Sequence, residues 1–160
     1  MPDIRGSATG SLAIEAPPER VYSILADYNQ HHPRVVPPEY FEGIQVEEGG
    51  VGAGTRIHVR MRVMGTTVTV HHIVSEPEPG RVLVESDTDG FSVTTFTVDP
   101  IDSGRGSMLT ITTDFNARRG GIMGRIERYL TRRVLTRIYV KELALIATYA
   151  KDLELESRPA

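Results

Sequence analysis

Glu142 is the residue whose surroundings in the sequence point most directly to chemistry. Val134, Ile138, Glu142, Leu145, Tyr149 and Leu153 step by three or four positions, the spacing that gathers side chains on one helix face, so a carboxylate stands within an apolar stripe. One helical turn away lie Ile138, Tyr139, Leu145 and Ile146, none of them a cation. Burying an unpaired carboxylate costs several kcal/mol or drives its pKa upward. Such a group suits hydrogen bonding inside a cavity, or general acid/base catalysis. The alternative is a helix turned so that Glu142 reaches solvent or a surface arginine. His72 is the natural second group, because it falls between Val70 and Val74 in an alternating segment while His71 points the other way. It can serve as a wall residue, a ligand contact or a proton-transfer partner of Glu142. Thr94 shares the parity of Phe96, and Thr113 that of Ile111, so each either adds a hydroxyl to an apolar lining or is simply a good strand former.

Alternation and helical periodicity identify the elements that must hold these groups. Thr9 to Ala16 alternates, with Leu12 and Ile14 on one face. Pro17 and Pro18 end that strand and open a short helix that carries Val21, Tyr22, Ile24 and Leu25 up to Asp27. Asn29 to Pro38 is interrupted by prolines and predicts a second short helical turn and a loop. From Tyr40 to Phe115 strands are separated by turn residues at Gly49-Gly50, Gly65, Pro77 to Gly80, Asp89-Gly90 and Asp102 to Gly106, which predicts an antiparallel meander of hairpins. In Thr55 to Val63 the apolar set is Ile57, Val59, Met61 and Val63, and Arg56, His58, Arg60 and Arg62 form a row facing water. After Gly120-Gly121 the period becomes 3.6. Ile122, Ile126, Tyr129 and Leu130 share one side, whereas Val134, Leu135, Ile138, Leu145, Ile146, Tyr149 and Leu153 share another. This shift predicts a short leading helical segment, a kink or a change of packing partner near Thr131 to Arg133, and then a long amphipathic helix.

Leu12-Ala13-Ile14-Glu15-Ala16-Pro17-Pro18-Glu19-Arg20-Val21-Tyr22 with Ala26-Asp27-Tyr28, Gly52-Ala53-Gly54-Thr55, and Gly121-Ile122-Met123-Gly124-Arg125-Ile126-Glu127 carry a family likeness over nearly the whole chain. The chain resembles the START-like superfamily, also called SRPBCC or birch-pollen-allergen-like, in its polyketide cyclase/dehydrase branch. The resemblance implies an α+β helix-grip fold, in which a curved antiparallel β-sheet of about seven strands wraps a long C-terminal α-helix, with two short helices after the first strand. It implies one domain over residues 1–160. The ordered core is expected at about 8–154, with fraying in Met1 to Ser7 and Glu156 to Ala160.

Proteins that look like this include lipid and hormone carriers, polyketide cyclases, quinone-binding proteins and chaperone co-activators, so the fold leaves the function open. The leading expectation is binding or transport of a small hydrophobic ligand, a lipid, quinone or polyketide-like molecule, in an internal cavity. The expected wall is Tyr22, Val59, Met61, Val70, His72, Thr94, Phe96, Ile111 and Thr113 from the first helix and the sheet, with Ile126, Leu130, Ile138, Tyr139 and Glu142 from the last helix. Two alternatives stay open: a polyketide cyclase or dehydratase moving protons through Glu142 and His72, and an adaptor without a ligand.

Several classes are set aside. With no cysteine there is no disulfide, thiol nucleophile, Fe–S cluster or cysteine-ligated zinc. No cofactor is expected, and no metal site, because His31-His32 and His71-His72 are adjacent pairs that diverge in a strand. The glycine-rich stretch Gly49 to Gly54 joins two strands and lacks the lysine of a phosphate loop, and no serine has a nucleophile-elbow context. The net charge is −3, yet Arg118 to Lys141 holds eight basic residues against one acidic residue, Glu127. Those arginines are either the solvated face of the helix or a surface for anionic headgroups or ligands, which leaves membrane-surface contact open. Nucleic acid is not an expected partner, given a pI near 6.0 and no interleaved aromatics. No apolar run or signal-peptide pattern is present, so a cytoplasmic location is expected. Monomer and homodimer are equally open.

Overall fold

A computed structural model of the chain describes residues 5–159. Strand β1 (Arg5–Ile14) leads through Pro17 into helix α1 (Pro18–Ala26), and a 3-10 turn at His32–Arg34 follows. Strands β2 (Phe41–Glu48), β3 (Arg56–Val63), β4 (Thr66–Glu78), β5 (Val82–Asp87), β6 (Ser92–Ile101) and β7 (Gly106–Asn116) precede helix α2 (Gly121–Ser157). All seven strands form one antiparallel sheet in the order β1-β7-β6-β5-β4-β3-β2, with neighbours in sequence mostly neighbours in space. This is the helix-grip architecture.

The alternation along each strand resolves into two faces. Ile57 and Val59 on β3, Val74 on β4, Leu83 on β5, Phe96 and Val98 on β6, and Leu109 and Ile111 on β7 are buried on the inner face. Helix α1 supplies Val21, Ile24 and Leu25 to the same core and packs against β6 and β7. Helix α2 makes its contacts mainly with β1, and with β7 and α1. Gly10 on β1 allows that approach, since a Cβ there would stand 3.1 Å from the Tyr139 Cβ. Because the helix lies toward the β1–β7 side of the sheet, the strands from β3 to β6 curve past it and leave a gap beneath α2.

The structure departs from the sequence reading at four places. Arg5 to Ser7, where fraying was expected, pair with Asn116 to Asp114, and Gly6 sits beneath the Phe115 ring, whereas residues 1–4 lie outside the described residues. At the other end α2 continues through Glu156 to Ser157, with Glu154 near Arg20 and Arg158. The helix is also continuous across Thr131 to Arg133. What changes there is the packing partner: Ile122, Met123, Ile126, Tyr129 and Leu130 on the leading turns are exposed, Ile122 by 77% and Tyr129 by 59%, whereas Ile138, Leu143 and Ile146 further on are buried. Pro77 falls inside β4 rather than ending it, at a register shift between Ser75 and Glu78, where a missing N–H does not break a ladder bond. No helix among the described residues is long and apolar enough to cross a membrane.

Candidate functional site

The gap under α2 is a cavity of about 510 Å³, a size that accommodates a small organic molecule. Its apolar walls include Ile57, Val59 and Met61 from β3, Val68 and Val70 from β4, Phe96 from β6, Ile111 from β7, and Val134, Leu135 and Ile138 from α2. At the mouth stand Met64 from the β3–β4 turn, Asp89 and Phe91 from the β5–β6 turn, and Arg118, Glu127 and Thr131 around the start of α2.

Polar groups enter this apolar space at defined places. Glu142 lines the cavity and is 4% exposed, so the helix does not turn it toward solvent or a surface arginine. Burial, and then the charge of Glu85, push its carboxyl up from the usual 4.5 to about 8, which leaves it mostly protonated at neutral pH. A protonated carboxyl in a low-dielectric wall is a hydrogen-bond donor. Glu85 reaches the same cavity from β5, where it shares the inner parity of Leu83, and accepts a 2.6 Å hydrogen bond from the Tyr28 hydroxyl. Burial, with the neighbouring Glu85, holds the Tyr28 phenol well above its ordinary pKa, so it remains a donor. His32 stacks on Tyr28 with ring centroids 4.6 Å apart. Its Nδ1 is 2.7 Å from the Leu25 carbonyl, which can only accept, so that nitrogen carries a proton and Nε2 faces Glu85 Oε1 at 3.8 Å. Tyr28 is placed by the loop after α1: its N–H donates to the Gly50 carbonyl, while the Gly52 N–H donates to Ala26.

A second polar line runs across the floor. Thr94 and Thr113 are paired across β6 and β7 with hydroxyls 2.8 Å apart, and Thr113 is also hydrogen-bonded to the Tyr139 hydroxyl. Burial raises the Tyr139 phenol above its ordinary pKa. His72 also lines the cavity, and its buried Nδ1 has no hydrogen-bond partner among the described residues.

Eleven of the fourteen residues expected on a cavity wall stand on it: Val59, Met61, Val70, His72, Thr94, Phe96, Ile111, Thr113, Ile138, Tyr139 and Glu142. Three do not. Tyr22 is buried beneath the sheet, where its hydroxyl donates to Glu76 Oε1 at 2.7 Å, and Ile126 and Leu130 project from the unpacked turns of α2. Glu142 and His72 face one cavity without an ion pair or hydrogen bond between them; the carboxylate that acts on Glu142 is Glu85. Sequence reasoning missed Glu85, Tyr28 and His32. Parity with Leu83 was a signal for Glu85, whereas Tyr28 and His32 lie in irregular chain that carries no period. On the opposite face of the sheet, cross-strand register brings His58 and His71 together beside Glu47, a grouping that neither adjacency nor helical spacing reveals.

The fold and this cavity define a helix-grip protein with a largely apolar internal chamber. Residues 5–151 match the family described as polyketide cyclase / dehydrase and lipid transport, and the chain belongs to that family. No curated protein matches the chain in sequence. Among solved structures, the KanY protein is similar at 26% identity and a TM-score of 0.78, over 92% of this chain and 98% of that one. The Zhui aromatase/cyclase from a Streptomyces species is similar at 20% identity and a TM-score of 0.76, over 92% and 94%. A START superfamily protein from Mycobacterium smegmatis aligns at 15% identity and a TM-score of 0.67, over 92% and 98%. At these last two identities the likeness concerns the fold.

Proposed function

We propose that this protein binds a small, mainly apolar molecule bearing a carbonyl or similar hydrogen-bond acceptor, which sits beneath α2 and directs that acceptor at Glu142. The observation that carries the reading is a buried carboxyl, without a hydrogen-bond partner among the described residues, on the wall of an apolar cavity of about 510 Å³, where burial favours its protonated form. Apolar walls supply affinity at roughly 25 cal/mol per Å² of surface removed from water, less the costs of association, and the few polar groups orient the ligand. Thr94, Thr113 and Tyr139 offer hydroxyls for a second polar point.

The mouth supports loading from an anionic bilayer. The turns of α2 that border it through Glu127 and Thr131 expose Ile122, Met123, Ile126 and Tyr129 within the arginine-rich segment, an apolar surface with a basic rim.

A cyclase or dehydratase is the second reading, favoured by one observation: a carboxylic acid and an imidazole nitrogen without a partner face the same chamber. The Zhui structure and the family description support it, and Glu142 would then donate or accept the proton while the walls hold the chain folded.

Native mass spectrometry of protein purified from its own host is the test. A stoichiometric co-purifying molecule with an acceptor group supports the binding reading, provided Glu142→Leu weakens its rebinding about tenfold or more. Rebinding that Glu142→Leu leaves intact overturns the assigned role of that carboxyl. Turnover of a polyketide-like substrate with a bell-shaped pH profile that Glu142→Gln abolishes would replace binding with the enzymatic reading.

A further inference from the structure

On the water-facing side of the sheet, away from the cavity, three strands bring two imidazoles and a carboxylate to one point. His58 on β3 lies directly opposite His71 on β4, and their ring centroids are 5.7 Å apart. Glu47 enters from β2 two residues after Gln45, which pairs with His58, so strand alternation places it on the same face, beside a register shift between Val46 and Glu48. Its Oε1 is 3.1 Å from His58 Nδ1 and 3.4 Å from His71 Nδ1. One donor atom from each residue lies within 4.8 Å of the others.

We propose that Glu47, His58 and His71 form a binding site for a divalent late transition-metal ion of the zinc type. Two imidazole nitrogens and one carboxylate oxygen are a borderline-soft donor set that suits Zn²⁺, Ni²⁺ or Cu²⁺ rather than Mg²⁺ or Ca²⁺. Three protein ligands leave a fourth position to water. Around zinc, with ligand bonds near 2.0–2.2 Å, tetrahedral donors stand about 3.3 Å apart. The observed separations therefore need only side-chain rotation, which partial exposure of all three residues allows. The main neighbouring cations are Arg60, engaged by Glu42 at 3.2 Å, and Arg56, which precedes His58 by two positions on the same face.

The ion ties β2, β3 and β4 together. Among the described residues β2 is the outer strand at this end of the sheet and pairs with β3, while the opposite faces of β3 and β4 carry Ile57, Val59, Val70 and His72 on the cavity wall. Metal at Glu47, His58 and His71 thus pins an edge strand and the outer side of that wall from solvent.

The test is ZnCl₂ titration of the tag-free, EDTA-stripped full chain at constant pH by calorimetry, paired with thermal melts. The expected result is one zinc per chain and a melting temperature that rises with free zinc, as binding to the folded state requires. His58→Gln and His71→Gln should each weaken uptake at least tenfold, and Glu47→Gln should weaken it measurably. Each variant is compared with itself in zinc and in EDTA, so any small change in its intrinsic stability drops out. No uptake by the wild-type chain at 100 µM free zinc overturns the proposal. Equal uptake by the wild-type chain and a His58→Gln/His71→Gln double variant overturns it as well, by placing the metal elsewhere.

Discussion

Replacing Glu142 by glutamine should make the ligand-free protein more stable above neutral pH, by an amount that grows with pH in a fixed way. The Glu142 carboxyl titrates near 4.5 in an unfolded chain and at about 8 in the folded one. A raised folded-state pKa means that the native state holds this proton more tightly than the unfolded state does. Its contribution to stability is therefore complete below pH 4.5 and is lost progressively as pH rises to 8. At 1.36 kcal/mol per pH unit, the loss is about 3 kcal/mol at pH 7 and about 5 kcal/mol above pH 8, as orders of magnitude. Against a typical total stability of about 5–15 kcal/mol this is large. Glutamine keeps the shape and a donor N–H but never ionises, so its stability curve lacks that slope. Urea unfolding of both proteins at pH 5, 6, 7 and 8, followed by far-UV circular dichroism, measures the difference directly. With a denaturant slope of about 2 kcal/mol per molar, the midpoint difference between variant and wild type should grow by about 1 M or more from pH 5 to pH 7. Contributions from titrating groups that do not interact with Glu142 cancel in the comparison. Midpoint curves that run parallel in pH would refute the argument, because they would mean that Glu142 reaches water or a cation in the folded protein.

Three further outcomes follow from the same packing. Tyr28→Phe removes the 2.6 Å hydrogen bond to buried Glu85 and should lower stability by about 1–3 kcal/mol in urea unfolding at pH 7; a change below about 0.5 kcal/mol would show that Glu85 does not depend on that hydroxyl. Gly6→Ala places a Cβ 2.6 Å from the Phe115 ring and should cost about 1–3 kcal/mol through displacement of the β1–β7 pair, whereas an unchanged melting temperature would mean that the ring moves freely. Co-sedimentation with anionic vesicles should exceed that with neutral vesicles, weaken with salt and fall in an Ile122→Asp/Ile126→Asp variant, and equal binding to both vesicle types would remove the bilayer from the proposed loading route.

Much of the fold was legible because both periods were clean. The alternation of Ile57, Val59 and Met61 against Arg56, His58 and Arg60 assigns β3 and both its faces, and the three-four stepping through Glu142 places that side chain on the inward side of α2. Less legible was the extent of packing. Ile126 and Leu130 lie on a separate apolar stripe from Ile138, and the shift near Thr131 to Arg133 marks where the packing changes, but hydrophobic spacing does not say that the leading stripe is left without a partner and exposed. Tyr22 shows the same limit: its helix buries it, but toward Glu76 instead of the cavity. The hollow itself has no sequence signature, since an apolar inner face reads the same whether bulky side chains fill the space or a helix displaced toward β1 leaves it open.

The outer-face histidines show how a contact absent from any local spacing still follows from local backbone chemistry. Met64 and Gly65 form the two-residue link between β3 and β4, and both have positive φ, 48° and 77°. That conformation is the type I′ turn, whose twist matches antiparallel strands, and glycine enters it without steric penalty. A two-residue link makes Val63 face Thr66, and every later pair is then set by counting outward equally on both strands. His58 lies five residues before Val63 and His71 five residues after Thr66, so the turn obliges them to meet, and it obliges His72, one position on, to face Ile57 on the cavity side. One hairpin turn therefore fixes both the imidazole pair proposed to hold metal and the histidine that enters the chamber. A longer β3–β4 link that slipped the register by one residue would exchange the faces of His71 and His72, abolishing the first site and altering the second in a single change.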